Sequence, residues 1–132
     1  MRSFVLVLAL TGCPGGDPPA CTDEIDLTCQ PLYVPTFDNV YANTLADHCG
    51  STRSACHSAV GKKGGMTFET AETAYDALTA GRVKPGDPGC SEMIVRVTSE
   101  GESYQMPPGD ALPVAEQCAL IQWVNDGAPP PP

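Results

Sequence analysis

Apolar residues recur along this chain in short helical stripes separated by long polar or proline-rich gaps. Phe37, Val40, Tyr41 and Leu45 fall at i, i+3, i+4 and i+8, which predicts a helix from Phe37 to about His48. Ala71, Ala74, Tyr75 and Leu78 make a second stripe, so a helix over Thr70 to Ala80 is expected, with Gly81 placed to end it. Met93, Ile94 and Val97 follow the turn signal Pro85-Gly86-Asp87-Pro88-Gly89; they suit a short third helix, although their length also suits a strand. The last stripe is Val114, Cys118, Ile121 and Val124. It predicts a helix with Pro113 at its first position, Glu116 near the positive end of its dipole, and a stop before Gly127. The expected fold class is therefore all-α, with about four short helices and long loops. In that frame Trp123 and Tyr75 belong to the core, Met66 and Met93 fill gaps in it, and His48 faces solvent at a helix end.

Ahead of the stripes lies a different kind of segment. Arg2 precedes the apolar run Phe4 to Leu10, and Thr11-Gly12-Cys13 follows. A run this short cannot cross a bilayer, which takes about 20 apolar residues, so residues 1–12 read as an export signal. Leu10-Thr11-Gly12-Cys13 resembles the lipobox of bacterial lipoproteins, in which the cysteine becomes the acylated first residue. An ordinary secretory signal cut elsewhere is the alternative. The lipobox implies a bacterial envelope protein anchored through lipid on Cys13. Pro14 after it, in place of aspartate, favours the outer membrane, facing the periplasm or the cell surface. Residues 13–20 then form a Pro/Gly linker, 21–128 the folded domain and 129–132 a proline tail.

Composition narrows the function classes. A chain of 132 residues forms one core, and Gly 13 with Pro 14 keeps its regular elements short. Asp and Glu number 16 against 7 Lys and Arg, a net charge of −9 that repels phosphate backbones and anionic lipid heads. Nucleic acid is set aside, and a basic protein partner is expected for what reads as a monomer. Gly-x-Ser-x-Gly, His-Glu-x-x-His and phosphate-cradling glycine loops do not occur, so an enzyme of those classes is not expected. Lipidation of Cys13 would leave six of the seven cysteines, an even number suited to disulfides outside the cytosol.

The chemistry-bearing segment is Cys49-Gly50-Ser51-Thr52-Arg53-Ser54-Ala55-Cys56-His57. A Cys-His pair after a helix, with a second cysteine upstream, is how a polypeptide holds haem c covalently: two thiols add to the vinyl groups and the imidazole ligates iron. The usual gap between those cysteines is two residues, and here it is six. Four readings stay open. Residues between the cysteines bulge out and both attach; Cys56 attaches alone; Cys49 and Cys56 form a disulfide, leaving no haem; or His48, Cys49, Cys56 and His57 bind zinc, although their spacing matches none of the common zinc motifs.

The stretch from Thr36 to Ala128 resembles the cytochrome c-like domains of bacterial lipoproteins, especially those of myxobacteria. The resemblance rests on Pro35-Thr36-Phe37, the Cys-His pair, Gly64-Gly65-Met66, Ala74-Tyr75, Val83-Lys84-Pro85-Gly86-Asp87-Pro88, Met106-Pro107-Pro108-Gly109 and Ile121-Gln122-Trp123-Val124-Asn125-Asp126-Gly127-Ala128. It implies His57 as the proximal iron ligand, Met106 as the distal one, Cys56 and Cys49 as thioether anchors, and single-electron transfer to a redox partner. A haem-free, disulfide-stabilised domain with a structural or interaction role is the competing expectation. Relatives of this kind often carry both Cys90 and Cys118, which, with the turn before Cys90 and an inward Cys118, suggests that these two pair. Cys21 and Cys29 are left as a second bridge, although either could instead reach Cys49.

Overall fold

The computed structural model describes residues 15–50 and 56–132; the expected export signal, Cys13 and the residues between Gly50 and Cys56 lie outside the described residues. Thr36 is extended and its hydroxyl accepts from the Asn39 N–H, which starts α1 (Phe37–Val40). The chain winds on into a π-helix, Tyr41–Cys49, closed by Gly50 N–H donating to the Leu45 carbonyl at 2.7 Å. One helical run is thus present where one is expected, but its second half is wider than an α-helix. Thr70 and Thr73 cap α2 (Ala71–Thr79) reciprocally, each backbone N–H donating to the other's hydroxyl, and Gly81 takes φ +130° just beyond its end. The ambiguous third segment is helical, α3 (Glu92–Thr98), and buries Met93, Ile94, Val95 and Val97.

The last helix, α4 (Val114–Asn125), departs from the expected stripe. Pro113 is its cap and not its first turn, and Val114 stands 75% exposed. Glu116, Cys118, Ala119, Leu120, Ile121, Trp123 and Val124 are all buried, so the helix is covered on most sides. Sequence periodicity reads best for a helix with one wet face, and α4 hardly has one. Among the described residues the fold is all-α, as expected, with only a short 3-10 turn, Lys63–Gly65, besides these helices.

Phe37, Tyr75 and Trp123 join three helices at the core. The Phe37 ring lies 5.0 Å from Trp123 and 5.1 Å, edge-on, from Tyr75. Tyr75 donates its hydroxyl to the Ala128 carbonyl and Trp123 its indole N–H to the Pro129 carbonyl, both at 3.0 Å. The proline tail is therefore fastened at its first residue.

Residues 15–36 run as an irregular arm along the body, and here the disulfide pairing corrects the expectation. Cys21 bonds Cys90 and Cys29 bonds Cys118; neither Cys90–Cys118 nor Cys21–Cys29 forms. The physical reason is the course of the arm. Thr22 N–H donates to the Gly89 carbonyl at 2.8 Å, Leu32 N–H to Ala115 at 2.9 Å, and the Gln122 side chain to Cys29 at 2.9 Å. Each arm cysteine is thereby laid beside a body cysteine. The linker is also docked, since Gly16 donates to Ser103 and accepts from Arg96, each at 3.1 Å.

Candidate functional site

The π-helix delivers Cys49 to the interior, where its carbonyl accepts the His57 N–H at 3.3 Å. Two further bonds fold the following loop back on the histidine: Lys63 N–H donates to the Cys56 carbonyl and Phe68 N–H to the His57 carbonyl, both at 2.7 Å. The His57 ring lies 4.8 Å from Phe68 and is 7% exposed. Its Nδ1 is 3.0 Å from the Lys63 carbonyl oxygen. A carbonyl only accepts, so Nδ1 carries the proton and Nε2 is left with a lone pair. Burial holds the imidazole below its ordinary pKa; the Lys63 bond opposes this, and the charges of Arg82 and Arg96 add to it. His57 is neutral at neutral pH.

Met106 comes from the loop between α3 and α4, where its N–H donates to the Arg96 carbonyl at 3.0 Å. Cys49, Cys56, His57 and Met106 border one small cavity, together with His48, Pro107 and Pro108. Cys49, His57 and Met106 also line the adjoining apolar cleft, walled by Leu45, Phe68, Leu78, Met93 and Leu112. The structure thus brings together all four residues that sequence reasoning nominated for the cofactor. On the rim, Glu92 takes Arg82 at 2.6 Å and Arg96 at 2.8 Å.

Several expectations change. Cys49 is a free, buried thiol, so the Cys49–Cys56 disulfide does not form; Cys56 is disulfide-bonded elsewhere. Burial, reinforced by the Glu116 carboxylate, pushes the Cys49 thiol up to about 12. Cys56 is taken up in a disulfide, and among the described residues no three His, Cys, Asp or Glu converge as a metal cluster. The zinc reading loses its support. His48 does not face solvent freely; its Nε2 lies 3.4 Å from buried Glu116, which also accepts from Thr44 at 2.8 Å. Met93 belongs to the buried core and Met66 packs against it, as expected, and both also line the cleft; Trp123 lies in the core and Tyr75 packs against it.

Sequence reasoning missed Gln105, Glu92, Arg82 and Arg96. The i, i+4 spacing of Glu92 and Arg96 was a readable signal; nothing in the pattern marked Gln105.

The imidazole, thioether and free thiol at the cavity are donor types that a haem c uses, whereas Cys56 is held in a disulfide. A buried imidazole with Nδ1–H tied to a carbonyl is the usual arrangement of a metal-ligating histidine, a thioether is the usual soft partner, and the walls are apolar. The cleft has a cavity of about 50 Å³, against roughly 300–1,000 Å³ for ordinary ligand pockets, so its walls must part to admit a macrocycle. Two of those walls are the irregular segments that carry His57 and Met106.

Residues 54–110 match the family model described as Planctomycete cytochrome C. The matched stretch is less than half of the chain; it includes Cys56, His57 and Met106 and leaves out Cys49 and α4. Neither the curated proteins nor the solved structures contain a match. The family match and the all-helical fold together support a cytochrome c-like domain.

Proposed function

We propose that the chain is an envelope lipoprotein that carries single electrons on a haem c, which His57 and Met106 would hold through its iron. The observation that carries this reading is the meeting of Cys49, Cys56, His57 and Met106 around one cavity, although His57 and Met106 lie far apart in the chain. The iron, when bound, supplies the one-electron chemistry. The protein's own part is to present Nε2 of His57 as a lone pair, offer the Met106 thioether, and exclude water with Leu45, Phe68 and Leu112. Covalent attachment would add a thiol S–H across a vinyl double bond and would need no oxidant. Cys49 is already such a thiol; Cys56 first requires reduction of its disulfide by a dithiol reductant.

The test is the visible spectrum of the full chain expressed with haem-maturation machinery. A Soret band that survives acid-acetone extraction supports the reading; folded protein without iron overturns it. Lipidation of Cys13 places the domain on the bacterial envelope, at the outer membrane, with a basic redox partner suited to the acidic surface. Cys13→Ser should release the protein from the membrane fraction, and unchanged fractionation refutes the anchor.

A second reading is favoured by the disulfide at Cys56 and by the small cavity: a haem-free domain of the same fold with a structural or interaction role. Full thermal stability of iron-free protein supports it.

A further inference from the structure

Gln105 is 5% exposed and spends its whole side-chain amide on the loop that carries Met106. Its carbonyl oxygen accepts the Gly101 N–H at 2.7 Å, and its NH₂ donates to the Pro107 carbonyl at 2.8 Å and to the Gly109 carbonyl at 2.9 Å. The loop needs such a group. Pro107 and Pro108 lack N–H donors, so carbonyls here cannot be satisfied by a regular turn of their own backbone. One neutral amide stitches both sides of Met106 and brings no charge to the cleft. The opposite anchor is the Met106 N–H on the Arg96 carbonyl, which fixes the backbone but not the proline side.

We propose that Gln105 is the positioning residue for Met106, setting where the thioether sulfur stands in the cleft; its spectroscopic consequence rests on the haem reading above. The comparison is between the wild-type full chain, Gln105→Glu and Gln105→Leu. Glutamate keeps the shape and the acceptor but turns a carboxylate towards two carbonyls, whereas leucine keeps the bulk and makes none of the three bonds. In haem-loaded protein both variants should lose or weaken the sulfur-to-iron charge-transfer band at the red edge of the spectrum and lower the reduction potential, as is expected of Met106→Ala. Wild-type band and potential in both variants overturn the proposal, even if stability falls.

A second measurement does not depend on haem. Peroxide oxidation of Met106 in the iron-free chain, followed by mass spectrometry with Met66 and Met93 as internal references, should run several-fold faster in Gln105→Leu and Gln105→Glu. An unchanged relative rate overturns the proposal. A wild-type chain that binds no haem refutes the electron-carrier reading, while the oxidation rates still decide the role of Gln105.

Discussion

Removal of one arm disulfide should cost nearly the same whichever is chosen, because the two bridges interlock. Taken singly, Cys21–Cys90 and Cys29–Cys118 span 69 and 89 residues. Loop entropy of that size corresponds to about 4.4 and 4.6 kcal/mol. Neither acts singly, since Cys29 lies inside the first loop and Cys90 inside the second. With either bridge intact, the shortest path joining the other two cysteines runs from Cys21 to Cys29, across the surviving bridge, and from Cys90 to Cys118. That path is about 36 residues in both cases, equivalent to about 3.8 kcal/mol. Cys21→Ala/Cys90→Ala and Cys29→Ala/Cys118→Ala should therefore be destabilised alike, the second pair slightly more because Cys118 is fully buried. Denaturant titrations of the oxidised proteins, analysed with a free slope because the unfolded chain expands, give the comparison. A gap above about 2 kcal/mol between the variants would exceed what equal loops allow and would refute the interlocked account. So would a non-reducing peptide map that recovers Cys90 joined to Cys118.

Other outcomes follow from single contacts. Met106→Ala in haem-loaded protein should lower the reduction potential, and unchanged cyclic voltammetry would remove Met106 from the ligand set. Thr44→Val takes the hydroxyl from between Tyr33 and buried Glu116 and should cost about 2–3 kcal/mol in urea unfolding; a loss near zero would show that Glu116 does not need Thr44. Burial pulls the Glu92 carboxyl up, but its bonds to Arg82 and Arg96 win and hold it below 4.5. A depressed carboxyl contributes stability above its unfolded value that disappears as pH falls through the folded one, so Glu92→Gln should flatten the stability loss below about pH 4.5. Parallel acid-unfolding curves for the two proteins would contradict this.

The helices were legible where one face is wet. Phe37, Val40 and Leu45 point inward at helical spacing, and Thr70 and Gly81 bracket α2. Periodicity does not distinguish a π-helix from an α-helix, because the apolar residues of Tyr41–Cys49 sit at spacings both accept. The disulfide partners were not legible, since pairing depends on where an irregular arm lies, and the arm is placed by backbone bonds such as Thr22 to Gly89. His48 shows the same limit, as its partner Glu116 is remote in sequence. For the site, Cys49, Cys56 and His57 were nominated by residue type and Met106 by the family resemblance, and all four border one cavity. Gln105 escaped because its role lies entirely in hydrogen bonds to backbone carbonyls.

The chain carries one tryptophan, and its position makes it an optical reporter. Trp123 has no exposed surface and lies one turn of α4 beyond Leu120, which lines the cleft. Indole emission from so dry a site is blue-shifted and moves to the red when the core opens, so unfolding reads out without a label. Porphyrins absorb where indole emits. An occupied cleft one helical turn away would quench Trp123 by energy transfer, and the folded but empty chain would shine.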